Sequence, residues 1–102
     1  MYRAREQLEN DRWIADIERG AKQLSLSSAT VSRAVDLFLS TVPEDNRSKR
    51  ACAAASLYAG ALITGERRSQ SAVADAMDVA RLTVQQRWKT LIEDAGLKPP
   101  RW

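Results

Sequence analysis

Amide, cationic and apolar side chains alternate along residues 81–91, "RLTVQQRWKTL". If this stretch is a helix with Val84, Trp88 and Leu91 inward, its hydrogen-bonding side chains face outward. The candidate DNA contacts on it are Arg81, Leu82, Thr83, Gln85, Gln86 and Lys89. A glutamine amide can pair with both N6 and N7 of adenine, and a leucine can touch a thymine methyl group. The pattern therefore indicates chemistry suited to reading a DNA major groove.

The preceding residues predict the helix that would support this surface. A short helix over Gln70–Met77 is expected with Ser69 as its N-cap, Ala74 at the helix crossing and Asp78 in the turn. Aspartate tolerates a positive φ better than most residues, so a tight turn is feasible without glycine. In a helix-turn-helix over 69–95, Ser69 and Gln70 are placed to bind phosphate oxygens. The same spacing also fits two antiparallel helices of an ordinary bundle, and spacing alone leaves both interpretations open.

The charge of the chain is compatible with a nucleic-acid partner but does not prove one. The net charge is +3 and the sequence pI is about 9.4. The basic residues fall into three clusters, which are Arg47 with Lys49 and Arg50, Arg67 with Arg68, and Arg81 with Arg87 and Lys89. Any one cluster alone would also fit an ordinary solvated surface.

Composition argues against several classes of chemistry. The chain has one cysteine and no histidine, so four thiolate or imidazole ligands for a structural zinc are lacking. Nucleophilic pairs of serine or cysteine with histidine are excluded for the same reason. Without paired-carboxylate or phosphate-loop motifs, we expect no enzymatic activity, no metal and no cofactor. Cys52 lies in an alanine run and is predicted to be a small buried side chain.

Apolar periodicity, capping residues and the low content of proline and glycine predict an all-α fold of five helices. Their expected spans are roughly 3–23, 28 to just before Pro43, 48–64, 70–77 and 81–95, with Gly96 as the final cap. The expected inner face of the second helix is Val31, Ala34, Val35, Phe38 and Leu39. The third helix, "ACAAASLYAGALI", is apolar or small on every side, which predicts that the other four helices surround it.

The length of 102 residues predicts one domain over 1–102, with a short tail over 97–102. The sequence leaves open whether Trp102 in that tail docks on the domain or faces solvent. No apolar run reaches the roughly 18 residues of a membrane span, and the charged N-terminus does not resemble a signal peptide. We therefore expect a cytoplasmic protein with no membrane partner.

The stretch "RSKRACAAASLYAGALITGERRSQSAVADAMDVARLTVQQRWKTL" resembles a cyclin-type repeat of archaeal transcription factor B, the counterpart of eukaryotic transcription initiation factor IIB. It is most similar to the C-terminal repeat. The similar positions occur in order across three helices and comprise Arg47-Ser48, Leu57-Tyr58-Ala59, Gly65-Glu66, Arg68-Ser69-Gln70, Val73-Ala74, Val79, Thr83-Val84, Arg87-Trp88-Lys89 and Leu91. The resemblance implies a five-helix cyclin-like fold whose fourth and fifth helices read promoter DNA beside the TATA box.

The base-reading positions of this family map onto Leu82 and Gln85. The family usually has Arg-Asn where this chain has Gln85-Gln86, so a different base preference is expected. With one repeat and no zinc ribbon, the chain is not expected to perform the whole task of an initiation factor alone. A single module buries only about 600–1,000 Å² on DNA, so a homodimer or a partner such as TATA-binding protein would supply further affinity.

Two functions therefore compete at this point. One is a sequence-selective DNA-binding transcription regulator that contacts double-stranded promoter DNA. The alternative is a protein-interaction module that docks on TATA-binding protein or other initiation factors without reading DNA. The polar and cationic outer face predicted for the fifth helix favours DNA.

Overall fold

The computed structural model describes residues 10–43, 45–94 and 96, without the side chains of residues 46 and 47. All regular structure within these residues is helical. The helices are α1 (Asp11–Gln23), α2 (Ser28–Ser40), α3 (Asn46–Ile63), α4 (Gln70–Met77) and α5 (Arg81–Asp94). The predicted beginning of the first helix, the tail over 97–102 and Trp102 lie outside the described residues.

Helix α3 forms the centre of the fold and packs against each of the other four helices. Every residue from Ala51 to Ala61 is buried. A helix without a polar stripe is stable only when neighbours cover all of its sides. The predicted all-α, cyclin-like arrangement around a central third helix is confirmed.

Glycine permits two close helix contacts around this centre. A Cβ atom at Gly60 of α3 would lie 3.0 Å from the backbone nitrogen of Ala34 and 3.2 Å from its Cα. A Cβ at Gly20 of α1 would lie 2.6 Å from Sδ of Met77 on α4. The backbone of α2 therefore rests directly on α3, whereas α1 meets side chains only, since the other near atom at Gly20 is Cδ2 of Leu57 at 3.1 Å.

The buried face of α2 differs from the predicted one. Ala34 and Phe38 are buried as expected, and Leu37 is buried as well. The other three predicted inner residues, Val31, Val35 and Leu39, are only partly buried. Helix α2 packs against α1 as well as α3, so its buried face is set by two neighbours and not by one apolar stripe.

Polar caps define where the helices begin. The side chains of Ser27, Asp45 and Ser69 accept hydrogen bonds from backbone N–H groups in the first turns of α2, α3 and α4. Asp45 accepts from the Ser48 N–H at 2.8 Å, and this bond lowers the pKa of the Asp45 carboxyl. The predicted start of α3 at Ser48 was therefore wrong by two residues, because Asp45 is the cap and the helix begins at Asn46.

Three helices end in the same reversal of the backbone. Ser25, Gly65 and Asp78 follow α1, α3 and α4 with φ values of 57°, 80° and 57°. The next residue in each case donates its N–H back to the carbonyl five positions earlier, at distances of 2.8 to 3.0 Å. This left-handed cap satisfies the last carbonyls of each helix and turns the chain sharply. Gly96 after α5 also has a positive φ, as expected.

The loop after α3 binds the beginning of α2. Oε1 of Glu66 accepts hydrogen bonds from the Ser27 N–H at 3.0 Å, from the Ser27 hydroxyl at 2.5 Å and from the Thr30 hydroxyl. The bonds from Ser27 and Thr30 lower the pKa of Glu66 from its ordinary 4.5 to about 2. Glu66 thus binds the same Ser27 side chain that caps α2.

Arg68 also joins the loop after α3 to the loop between α1 and α2. Its Nε donates to the Leu24 carbonyl at 3.0 Å, and its Nη2 donates to the Ser25 carbonyl at 3.3 Å. Because Ser69, the cap of α4, follows Arg68 directly, these bonds fix where α4 begins relative to α1. Arg68 therefore has a structural role within the second basic cluster.

We expect alanine at the two helix-contact glycines to have unequal effects. In Gly60→Ala, the new methyl group meets the backbone of α2 and should destabilise the fold by about 1–3 kcal/mol. In Gly20→Ala, the new methyl group meets only the side chains of Met77 and Leu57, which can shift. Alanine also gains about 1 kcal/mol in helix propensity, so stability should stay within about 1 kcal/mol of wild type. Urea unfolding followed by circular dichroism measures both. Equal or greater stability of Gly60→Ala would contradict the close contact between α2 and α3.

The Glu66 bonds also predict a pH-dependent contribution to stability. The pKa of Glu66 is depressed in the folded state, so its contribution is complete above roughly pH 5 and is lost as the pH falls towards about 2. The melting temperature of wild type should exceed that of Glu66→Gln at neutral pH, and the difference should shrink across this window. Glu18→Gln on the exposed surface of α1 is the matched control. If the difference in melting temperature between wild type and Glu66→Gln did not change with pH, that result would argue against this role of Glu66.

Candidate nucleic-acid interface

The turn between α4 and α5 is three residues long and depends on Asp78. Asp78 has φ 57° and ψ 48°, which is the left-handed conformation that the sequence allowed for it. The Val79 N–H donates to the Ala74 carbonyl at 3.0 Å across this turn. Aspartate is among the few non-glycine residues that visit this region readily. The turn therefore brings the first residues of α5 close to the end of α4.

Buried side chains fix the rotation of both helices. Val73, Met77 and the predicted crossing residue Ala74 of α4 are buried. The predicted inward residues Val84, Trp88 and Leu91 of α5 are buried as well, and Ile92 joins them. The ring of Trp88 meets that of Tyr58 on α3 edge to face, with centroids 5.5 Å apart. Aromatic pairs in this geometry add to the stability gained from burial. The rotation of α5 about its axis, and hence its exposed face, is set by these contacts.

Five of the six candidate residues on α5 are exposed, as the helical pattern predicts. Arg81, Gln85, Gln86 and Lys89 are exposed, and Leu82 is 53% exposed. Thr83 and Gln70 are half-buried, and Ser69 is exposed. Leu82 is the single large apolar side chain that is exposed in the described part of the chain. The first turns of α5 thus present an exposed leucine among amide and cationic groups.

Some of the candidate residues border two depressions of the surface. Ser69, Gln70 and Arg81 border a depression of about 260 Å³ beside the start of α4, together with Arg67, Ser71 and Tyr58. Thr83 and Gln86 border another depression of about 450 Å³, whose other residues include Ser48, Arg50 and Arg87. The outer face of α5 thus has a depression on either side.

Two contacts orient the exposed side chains of α5. Nη1 of Arg81 donates to Oε1 of Gln85 at 3.2 Å, one helical turn along. The Lys89 ammonium lies 5.5 Å from the centroid of the Trp88 ring. An amide oxygen has two acceptor positions, so the Arg81 bond leaves one acceptor and both amide N–H donors of Gln85 for a ligand.

Three arginines that were not among the predicted contacts border the two depressions. Arg67 lies in the smaller one, and Arg50 and Arg87 lie in the larger one. Nη1 of Arg50 is 3.5 Å from a carboxylate oxygen of Asp78, which is itself highly exposed. The basic clusters in the sequence were the available signal for these residues. Their placement depends on how α3 packs against the α4–α5 turn, which the pattern of one helix does not reveal.

Cys52 lies beneath a further depression, of about 220 Å³, which Thr41, Pro43 and Leu91 also line. Its side chain is buried, as predicted, and burial raises the pKa of the thiol. Across residues 10–43, 45–94 and 96, no group of three or more His, Cys, Asp or Glu side chains is placed to hold a metal ion. The same residues contain no helix with the length and apolar character needed to cross a bilayer.

Comparisons of this chain with a family model and with individual known proteins agree on one family. Residues 9–94 match the family model described as "Transcription factor TFIIB repeat". The transcription initiation factor IIB of Pyrococcus abyssi is 32% identical over 87 residues, which cover 82% of this chain and 29% of that protein. Transcription initiation factor IIB 2 of Thermococcus kodakarensis is 31% identical over 90 residues, covering 85% and 29%.

A third relative is covered more completely. The transcription initiation factor IIB of Haloarcula vallismortis is 31% identical over 84 residues, which cover 79% of this chain and 74% of that sequence. The chain spans less than a third of the Pyrococcus abyssi and Thermococcus kodakarensis relatives. The family model covers all five helices, which makes this chain a member of the transcription factor TFIIB repeat family.

Proposed function

We propose that this chain is a sequence-selective transcription regulator that binds double-stranded promoter DNA through α4 and α5. The observation that carries the proposal is the exposed start of α5, where Leu82 lies among Arg81, Gln85 and Gln86. An exposed leucine contributes little to the stability of the free protein, but it can contact a thymine methyl group when the helix enters a major groove. The names of the relatives, all of them transcription initiation factors, support a role in initiation.

In this proposal, α4 and α5 act as a helix-turn-helix within a single domain. The first turns of α5 enter the major groove, and Gln85 contacts adenine with its amide. Arg81 orients that amide through the 3.2 Å bond to its oxygen. Thr83 and Gln86 then face the wall of the major groove opposite to Arg81, because they border the other depression of the protein surface.

Phosphate contacts would hold the helix in register. Ser69, Gln70 and Arg81 share one depression with Arg67, so hydroxyl, amide and guanidinium groups converge there. The Ser69 hydroxyl oxygen accepts from the Ala72 N–H at 3.0 Å, which leaves its proton available to donate to a phosphate oxygen. Such contacts position a protein on DNA without specifying sequence.

Further binding energy would come from a partner. The interface offered by one module is small, so we propose that TATA-binding protein, another initiation factor or a second copy of this chain binds beside it. An alternative function is docking on the initiation machinery without DNA reading. The larger depression beside α5 favours it, because Ala51, Val79 and Ala80 give that depression apolar lining.

Replacement of Gln85 tests base reading. A preferred site is first selected from random DNA, and Gln85→Ala should then cost roughly 1–3 kcal/mol on that site, with preference lost at one position. Nonspecific binding and thermal stability should hardly change, because alanine is well tolerated at an exposed helix position. Fluorescence anisotropy on preferred and scrambled duplexes measures the ratio. Gln23→Ala on α1 is the control, and a wild-type ratio in Gln85→Ala would refute base reading by Gln85.

Replacement of Lys89 tests the electrostatic part of the interface. With about four to six phosphate contacts, the log–log dependence of affinity on salt should have a slope near −4 to −5. Lys89→Ala should weaken all sequences about equally and reduce the slope by about one. Lys22→Ala on α1 removes the same charge away from α5 and should leave the slope unchanged. Absence of DNA binding even at low salt would instead support the docking alternative.

A further inference from the structure

A buried tyrosine borders the smaller depression, the one beside the start of α4. Tyr58 of α3 is only 3% exposed, and its ring is held edge to face against Trp88. Within the part of the chain that the structure describes, its hydroxyl makes no hydrogen bond, yet the hydroxyl is not sealed from solvent. The exposed part of the side chain opens into the depression of about 260 Å³. Because buried hydroxyls are normally hydrogen-bonded, this one indicates that the depression takes a ligand.

The guanidinium groups around the depression give it a positive charge. Arg67 and Arg81 both border it, and no carboxylate is among its described lining residues. The Arg67 guanidinium makes no hydrogen bond or ion pair within the described residues. Arg81 uses a single N–H for its bond to Gln85, which leaves its other donors available. The ligand that this charge attracts is an anion.

The first turn of α4 adds backbone donors. Gln70 and Ser71 border the depression, and their N–H groups have no acceptor among the described residues. The next N–H, that of Ala72, is already bound to the Ser69 hydroxyl oxygen at 3.0 Å. Unpaired N–H groups at the start of a helix favour anions, because the helix dipole adds to their partial positive charge. The depression therefore surrounds an anion with N–H, guanidinium and hydroxyl donors.

We propose that this depression binds a free phosphate group, either inorganic phosphate or a phosphate monoester, with one oxygen on the Tyr58 hydroxyl. A phosphate monoester has three unsubstituted oxygens and carries nearly two negative charges at neutral pH, which suits donors that approach from several sides. A phosphodiester of duplex DNA has one charge and a sugar on either side. It would meet the outer groups of the depression without reaching the buried hydroxyl.

Occupation of this site would also regulate the proposed function. Ser69, Gln70 and Arg81 are proposed to contact DNA phosphates, so a free phosphate group held by the same residues would compete with DNA. This competition rests on the proposed function, whereas the binding of free phosphate does not.

Titration with inorganic phosphate in the absence of DNA tests the site. The ¹⁵N-labelled full chain is titrated at constant ionic strength, with chloride replaced by phosphate, so that electrostatic screening does not change. The amide signals of Gln70 and Ser71 should shift saturably. Adenosine 5′-monophosphate should shift the same signals and adenosine should not, and the two affinities show which form of phosphate the site prefers. No saturation at millimolar phosphate, or saturable shifts confined to other parts of the chain, would overturn the proposal.

Variants identify the groups that hold the ligand. Tyr58→Phe keeps the ring against Trp88 and should weaken phosphate binding at least about fivefold, because a hydrogen bond to a charged ligand is lost. Arg67→Gln should weaken it by at least as much. Arg33→Gln on the exposed surface of α2 makes the same change of charge and should alter affinity less than about twofold. Ser71→Ala, at an exposed position, gives an independent loss of binding if Tyr58→Phe fails to fold.

Three further results would overturn the proposal. Wild-type phosphate affinity in a folded Tyr58→Phe would exclude the buried hydroxyl as a ligand contact. Equal effects of Arg67→Gln and Arg33→Gln would show that only net charge matters. Dimethyl phosphate, a diester, binding as tightly as inorganic phosphate would show that the depression fits the DNA backbone instead of a free phosphate group. Failure of the chain to bind duplex DNA would contradict the proposed function and leave these results unchanged.

Discussion

The contact between the backbones of α2 and α3 is the constraint on which the other packing depends. At Gly60, the space that a side chain would need is occupied by the backbone of Ala34. Contacts this close require small residues on α3, and its alanine-rich sequence provides them on every side. A central helix of small diameter allows four neighbours to surround it within a chain of this length. Most of the large side chains of the core, such as Phe38 and Trp88, come from those neighbours, and α3 adds Leu57 and Tyr58.

The loops transmit this arrangement to the surface proposed to contact DNA. Glu66 and Arg68 attach the beginning of α4 to the loop between α1 and α2, and Asp78 then reverses the chain into α5. Tyr58 of α3 packs against Trp88 and fixes the rotation of α5. The direction in which Gln85 and Leu82 point therefore depends on contacts with three other parts of the fold. The scaffold determines the geometry, and the side chains of α5 determine what it could recognise.

Much of the fold could be predicted from the sequence, because the central helix, the helix starts and the turns depend on the local residue types. The alanine run predicted a central helix, Ser69 predicted the start of α4, and Asp78 predicted a turn with positive φ, and each is confirmed. The burial of Leu37 and the bonds of Glu66 and Arg68 could not be predicted, because they connect segments distant in sequence. The placement of Arg50 and Arg87 around the same depression as Thr83 could not be predicted for the same reason. Base contact by Leu82 and Gln85 remains a proposal drawn from the family resemblance and the exposed face of α5.

The cap of α2 has a consequence for how the chain folds. Ser27 provides the local part of that cap, but Glu66, its partner, lies 39 residues later. A growing chain that has emerged only as far as α2 lacks the bond from Glu66, so this helix end is incompletely stabilised until α3 has formed and turned back. Helix formation at the N-terminal end is in this way coupled to closure of a long loop, which favours a cooperative transition over stepwise addition of helices.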